Sequence, residues 1–278
     1  MSERGFRIMG VINVTPDSFS DGGLYLDPAV AISHGQRLAA DGAAILDIGG
    51  ESTRPGARPV AAGEELRRVI PVIEGVAGAG AGVQISIDTS KAAVAAQALQ
   101  AGASLVNDVT ALRGDPDLAG LIAEAGVDCC LMHMLGNPRT MQDDPRYEDV
   151  VSEVKAFLED RAAFAVAAGI RQERILIDPG IGFGKTAAHN LELLRRLQEL
   201  VELGFPVVVG TSRKSFLGRL TGRAETRERL AGTIATCVMA YERGASVLRV
   251  HDVAPVYDAL TIAAATVSPR WETPSSTR

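Results

Sequence analysis

Arg174-Ile175-Leu176-Ile177-Asp178-Pro179-Gly180-Ile181-Gly182-Phe183-Gly184-Lys185 shows the plan of the chain. Ile175, Leu176 and Ile177 are a short, wholly apolar run, the pattern of a strand buried on both faces of a parallel sheet. The run stops on Asp178, and Pro179-Gly180 prevents strand or helix from continuing. Gly180, Gly182 and Gly184 let the backbone come close to whatever Asp178 faces. From Asn190 a helical pattern takes over. The unit of strand, polar tip, loop and helix recurs along the sequence.

The same stretch holds a false lead. Gly180 to Thr186 looks like a phosphate-cradling loop, but that motif needs four residues between its first glycine and the Gly-Lys-Thr end. Counting back from Gly184 puts Pro179 in that place. The mismatch argues against a nucleotide triphosphatase.

Working outward, candidate strands end near Asn13, Ile48, Asp88, Asp108, His133, Asp178, Gly210 and His251. Helical segments lie between them. From Asn190 to Leu203, the residues Leu193, Leu194, Leu197, Leu200 and Val201 make one apolar stripe opposite Glu192, Arg195, Arg196 and Glu199. Val150, Val154, Phe157 and Leu158 do the same for the preceding long helix. Repeated strand-helix units over about 250 residues predict a single-domain α/β (β/α)8 TIM barrel. The alternative, an open doubly wound sheet, lacks an early dinucleotide fingerprint. The barrel is expected over residues 1–267, with a loose polar tail over 268–278.

The composition fits such a domain. The 278 residues are 46% hydrophobic and 22% charged, enough to bury a sizeable core. No apolar run approaches the roughly 18 residues of a membrane span, and the N-terminus does not read as a secretion signal. A net charge of -6 with interspersed signs argues against nucleic-acid binding. Cys129, Cys130 and Cys237 have no zinc-like spacing and read as buried thiols of a reducing cytoplasm.

In a barrel of this kind the site lies at the carboxyl ends of the strands. Each tip residue has a purely structural alternative. Asp88 could cap a helix, Arg213 could be a solvated charge, and Asp252 could cap the last helix. His34 and His189 read as helix-surface or capping residues. Polar tips on nearly all strands favour a site. Asp88, Asn107, Asp178 and Lys214 can surround a flat nitrogen heterocycle, whose guanidine-like edge wants a carboxylate held in plane. Arg249 can lie over a ring face. Asn13, Arg54 and His251 suit a polyphosphate with its magnesium.

The motifs Asn-Val-Thr-Pro-Asp-Ser-Phe-Ser-Asp-Gly-Gly from Asn13, Asp-Ile-Gly-Gly-Glu-Ser-Thr-Arg-Pro-Gly from Asp47, Asp-Pro-Gly-Ile-Gly-Phe-Gly-Lys from Asp178, Ser-Arg-Lys-Ser from Ser212 and Arg-Val-His-Asp-Val from Arg249 resemble the dihydropteroate synthase family. The likeness runs from about Ile8 to Val267. It implies a barrel enzyme of folate synthesis, a sulfonamide target, that joins hydroxymethyl-dihydropterin pyrophosphate to para-aminobenzoate and releases pyrophosphate. By motif, the resemblance implies that Asp88, Asn107, Asp178, Lys214 and Arg249 hold the pterin, and that Arg54 and His251 hold the pyrophosphate. It further implies Asn13 as a ligand of Mg²⁺, and Phe19, Thr53, Pro55 and Ser212 around the aminobenzoate. Asp88, Asp178, Lys214, Arg249 and His251 form the implied catalytic set. A cytoplasmic homodimer, joined through the last helices with Thr233 to Tyr241 apolar enough to allow it, is also implied.

After Asn107-Asp108 the chain reads Val-Thr-Ala-Leu-Arg where many relatives carry Ser-Gly-Gly, a departure that bears on the shape of that loop. Two other readings share the scaffold. A pterin-dependent methyltransferase would use a corrinoid partner and has no need of Asn13, Arg54 and the N-terminal loop motifs. A non-catalytic pterin-binding protein could lose the pyrophosphate groups, and here they are intact.

Overall fold

A computed structural model describes residues 5–15, 27–54, 56–80 and 82–267. Phe19, Pro55 and the expected tail over 268–278 lie outside these residues. Eight parallel strands form one sheet. They are β1 (Arg7–Asn13), β2 (Ile45–Gly49), β3 (Gln84–Asp88), β4 (Leu105–Asp108), β5 (Asp128–Met132), β6 (Ile175–Asp178), β7 (Val208–Val209) and β8 (Val247–Val250). Helices follow in order: α1 (Pro28–Ala40), α2 (Ala62–Gly78), α3 (Ala92–Gln100), α4 (Leu118–Ala125), α5 (Val150–Ala167), α6 (Ala187–Arg195), α7 (Gln198–Val201), α8 (Ser215–Thr221), α9 (Leu230–Glu242) and α10 (Val253–Val267).

β1 pairs with both β2 and β8, which sets the first and last strands side by side. Between β6 and β7 the ring closes on a single parallel bridge, Ile177 to Val207, with the Ile177 N–H donating to the Pro206 carbonyl at 3.0 Å. This is the expected TIM barrel, nearly closed.

Strand alternation splits the interior in two. Outward side chains such as Ile8, Leu46, Ile87, Val106, Leu131 and Ile177 pack under the helices in one large core. Inward side chains Met9, Ile45, Leu105, Cys130, Leu176, Val208 and Val247 fill the barrel itself. Each aliphatic side chain buried this way contributes about 1.5–3 kcal/mol relative to exposure.

One element differs from the sequence reading. The helix expected over Asn190 to Leu203 is broken at Arg196, whose backbone leaves helical geometry (φ -104, ψ 24). There its guanidinium gathers Asp149, ahead of α5, together with Glu192 and Glu199. Leu193, Leu194, Leu197 and Leu200 stay buried across the break, so the apolar stripe survives it. The seventh strand ends beside Gly210, as expected, and is only two residues long, with a ladder partner on one side only.

Candidate active site

The site begins two residues above the apolar plug of the barrel. A strand returns to the same face every second residue. Stepping up by two from Ile45, Leu105, Cys130, Leu176 and Val247 reaches Asp47, Asn107, Met132, Asp178 and Arg249. Ile85 and Ile87 point outward on β3, which leaves Ser86 and Asp88 facing in. Asn13 ends β1 on the pleat face of Met9. The interior thus changes from oil to charge within one layer.

Asp47 and Arg249 form the centre of that polar layer. Asp47 is fully buried and accepts from Ser86 Oγ at 2.6 Å, Asn107 Nδ2 at 3.1 Å and Arg249 Nε at 2.7 Å. Arg249 also donates through Nη2 to Asp88 at 2.9 Å. Its edges are tied to two carboxylates, and a guanidinium held by its edges keeps its flat faces for stacking. Burial, and then the charge of Asp47, push the Asp88 carboxyl up to about 8, against the pull of Arg249. Burial likewise raises Asp178, opposed by the Gly180 N–H that donates to it at 2.7 Å. Acids so placed gain from a ligand that brings N–H donors.

The loop after β6 supplies the facing wall. Gly180 has φ +67, and a Cβ there would lie 1.8 Å from the His133 carbonyl oxygen. Only glycine fits such a turn. The turn carries Phe183, which packs beside the methionine cluster of Met132, Met134 and Met141. Lys214 Nζ sits 4.0 Å from the Phe183 ring centroid. Burial, then repulsion from Arg249, lower the Lys214 pKa to about 8, while Asp178 opposes the shift.

At the rim, His251 is held by Ser212. Its N–H donates to Ser212 Oγ at 3.2 Å, and its Nδ1 meets the same oxygen at 3.0 Å. Ser212, expected beside an aminobenzoate, is therefore engaged with the histidine. Burial, and then the positive charges of Arg213, Arg249, Arg54 and Lys214, hold the imidazole well below its ordinary pKa. Arg54 lies exposed on the loop after β2, with Thr53 half-buried beside it. Arg213 is no solvated charge: it pairs with Asp252 at 2.7 Å, tying the loops after β7 and β8 together. His189 completes the capping box of α6 with Thr186, as its position suggested.

The structure thus brings together Asp88, Asn107, Asp178, Lys214 and Arg249, with His251, Ser212 and Arg54 toward the rim. Phe19 and Pro55 cannot be placed among the described residues. Sequence reading missed two groups. Asp47 stands as a lone acid inside an apolar strand, a signal that was legible. Lys185 ends the glycine loop and is buried, with burial lowering its pKa to about 7. The expected thiols are buried and free, and burial pushes Cys129 and Cys237 up to about 12.

A parallel barrel with paired acids, an edge-bound arginine and a cationic rim defines a class of enzyme that grips a flat heterocycle. The sequence model described as "Pterin binding enzyme" matches residues 9–251, and the chain belongs to that family. Among its relatives, the dihydropteroate synthase of Neisseria meningitidis serogroup B is 49% identical over 261 residues, 92% of this chain and 91% of that protein. The Escherichia coli K12 dihydropteroate synthase is 46% identical, covering 94% of this chain and 92% of its own. Two solved structures are similar throughout. The Yersinia pestis dihydropteroate synthase with a sulfonamide drug complex superposes with a TM-score of 0.91 at 45% identity, covering 94% of each chain. The Xanthomonas albilineans dihydropteroate synthase in complex with 7,8-dihydropteroate gives 0.85 at 48% identity, covering 95% of each chain.

Proposed function

We propose that this chain is a dihydropteroate synthase, a transferase that condenses hydroxymethyl-dihydropterin pyrophosphate with para-aminobenzoate to give dihydropteroate and pyrophosphate. The observation that carries the reading is the pair of inward acids, Asp88 and Asp178, set into a barrel mouth whose rim is cationic. The acids and Asn107 suit the guanidine-like edge of a pterin. The free face of Arg249 suits its ring. Lys214, over the Phe183 ring, suits the pterin as well, and Arg54 and His251 suit the anion that leaves.

Departure of pyrophosphate builds positive charge on the methylene and the attached ring. The carboxyl groups of Asp88 and Asp178 are fixed in place to stabilise it. The neutral His251 imidazole, surrounded by cations, gains a reason to hold a proton when the anion arrives and grows in charge. An arylamine is nucleophilic without strong base help, so no residue is assigned that role.

Mg²⁺ belongs to the proposal as an ion carried on the pyrophosphate. Among the described residues, no three His, Cys, Asp or Glu side chains gather to hold a metal. Asn13 offers one amide oxygen at the end of β1, which fits an ion coordinated mostly by phosphate and water. When bound, the ion would offset charge on the leaving group.

Three buried free thiols support a reducing compartment such as the cytoplasm. Among the described residues no helix is long and apolar enough to cross a membrane. A homodimer through α9 and α10 is supported by exposed Met239 and Ile262. The purified protein should release pyrophosphate only when both substrates and Mg²⁺ are supplied, and a sulfonamide should compete with para-aminobenzoate. Failure to release pyrophosphate with both substrates present would overturn the assignment.

A further inference from the structure

Lys185 has no part in the chemistry just described, yet it is among the most deeply buried cations of the chain, 3% exposed. A buried ammonium is costly unless its surroundings use it. Its Nζ donates to the Phe183 carbonyl at 3.0 Å and meets His133 Nδ1 at 2.8 Å. Those partners lie behind the glycine turn, since His133 packs edge-on against Phe157 of α5 at 4.8 Å. Neighbouring carbonyls of the turn have other donors: the Phe183 N–H to Gly180 at 3.0 Å, Gln142 Nε2 to Gly182 at 2.7 Å and Tyr147 Oη to Gly184 at 2.8 Å. Lys185 is the side chain that holds the Phe183 carbonyl. On its other side, that residue presents the ring beneath the Lys214 ammonium and against the methionine wall.

We propose that Lys185 is a positioning residue of the pterin subsite: by holding the Phe183 carbonyl from behind, it sets the Phe183 ring and, through it, the Lys214 ammonium. The link is physical at each step, from hydrogen bond to backbone, backbone to ring, and ring face to cation. His133 keeps the ammonium in place from the far side. Burial first, and then Lys185 and Arg113, hold the His133 ring down to about 2, so it stays a neutral acceptor for the lysine. The inference rests on the pterin reading of the site.

The test uses the whole chain and three variants: Lys185→Met, Phe183→Leu and the double variant. Calorimetry measures binding of a pterin lacking the pyrophosphate and, separately, of inorganic pyrophosphate with Mg²⁺. Lys185→Met is expected to weaken pterin binding about tenfold or more and leave pyrophosphate binding within about twofold. Because Lys185 acts through Phe183, the double variant should lose much less than the product of the single losses. Equal losses for both ligands, no loss for either, or fully multiplicative losses would overturn the proposal. If Lys185→Met does not fold, Phe183→Leu alone decides, since unchanged pterin affinity there breaks the link from the turn to the pocket. The unaltered protein is the control: if it binds no pterin, the reading of the site itself fails. If it binds pterin and Lys185→Met binds it equally, only the role of Lys185 fails.

Discussion

Asp88 and Asp178 are held on opposite flanks of the mouth, by Arg249 and by the Gly180 N–H respectively. Replacing either by alanine should cost about 1.5–3 kcal/mol of pterin binding, the worth of a hydrogen bond to a charged group. Calorimetry with a pterin ligand checks this, and unchanged affinity in both variants would sink the assignment. Lys214 adds a dependence on pH. Burial and Arg249 bring its pKa to about 8, with Asp178, Arg54 and Asp88 also facing it. Below that value the free protein carries an ammonium, and above it the cation is lost. Asp88, also at about 8, gains its charge in the same window, so Lys214→Met is the reference: from about pH 6.5 to about 9.5 the pterin affinity of the unaltered protein should fall on the alkaline side relative to that variant. Parallel profiles in the two proteins would contradict it. The polar tips of the strands were legible because a charged residue ending an apolar run has few structural reasons to be there. Asp47 was overlooked as a member of a motif, although its place inside the second strand marks it as a buried acid needing partners. Lys185 gave no such signal, because its burial depends on loops folding over it from far along the chain.

The element that most constrains the site is the turn after β6. Gly180 and Gly222 have similar left-handed backbones, φ +67 and +72. Beyond their shared strain they differ in space. A Cβ on Gly180 would sit 1.8 Å from the His133 carbonyl, whereas a Cβ on Gly222 meets nothing within 4 Å. Gly222→Ala should cost about 1 kcal/mol, and Gly180→Ala about 2–5 kcal/mol, from the same strain plus a forced backbone shift. Urea unfolding of the two variants side by side measures the difference, and equal losses would mean that the turn yields freely. Strand positions came through well at this scale, since parallel strands buried on both faces are near-continuous apolar runs. The break at Arg196 did not, because a helix pattern carries no mark of an ion cluster formed with Asp149, nearly fifty residues away in sequence. The brevity of β7 was equally hidden, being set by the partner it lacks.

For the molecule as a whole, α9 and α10 lie side by side with Phe6 edge-on to Tyr241 and Tyr257 beneath them. Thr233, Thr236, Cys237 and Ala240 of α9 turn inward, while Met239 is 41% and Ile262 66% exposed. A dimer through these helices would cover that apolar surface. Met239→Glu with Ile262→Glu should give a monomer with an intact barrel, read by sedimentation and circular dichroism; a persistent dimer would place the interface elsewhere. The ring of strands has a consequence of its own. Among the described residues it is fastened between β6 and β7 by one isolated parallel bridge, Ile177 to Val207, in place of a ladder, and Asp178 ends β6 while Lys214 follows β7 across the seam. The clasp of the barrel is thus also the place where the heterocycle would span. Local openings there need break little, so the amide proton of Ile177 should trade with solvent deuterium sooner than those of Ile45 or Ile87. Pterin bridging the two edges would slow that trade at the clasp more than across the far wall, so that the substrate acts as the missing rung. Equal slowing on both sides of the barrel would show that the ring needs no such rung.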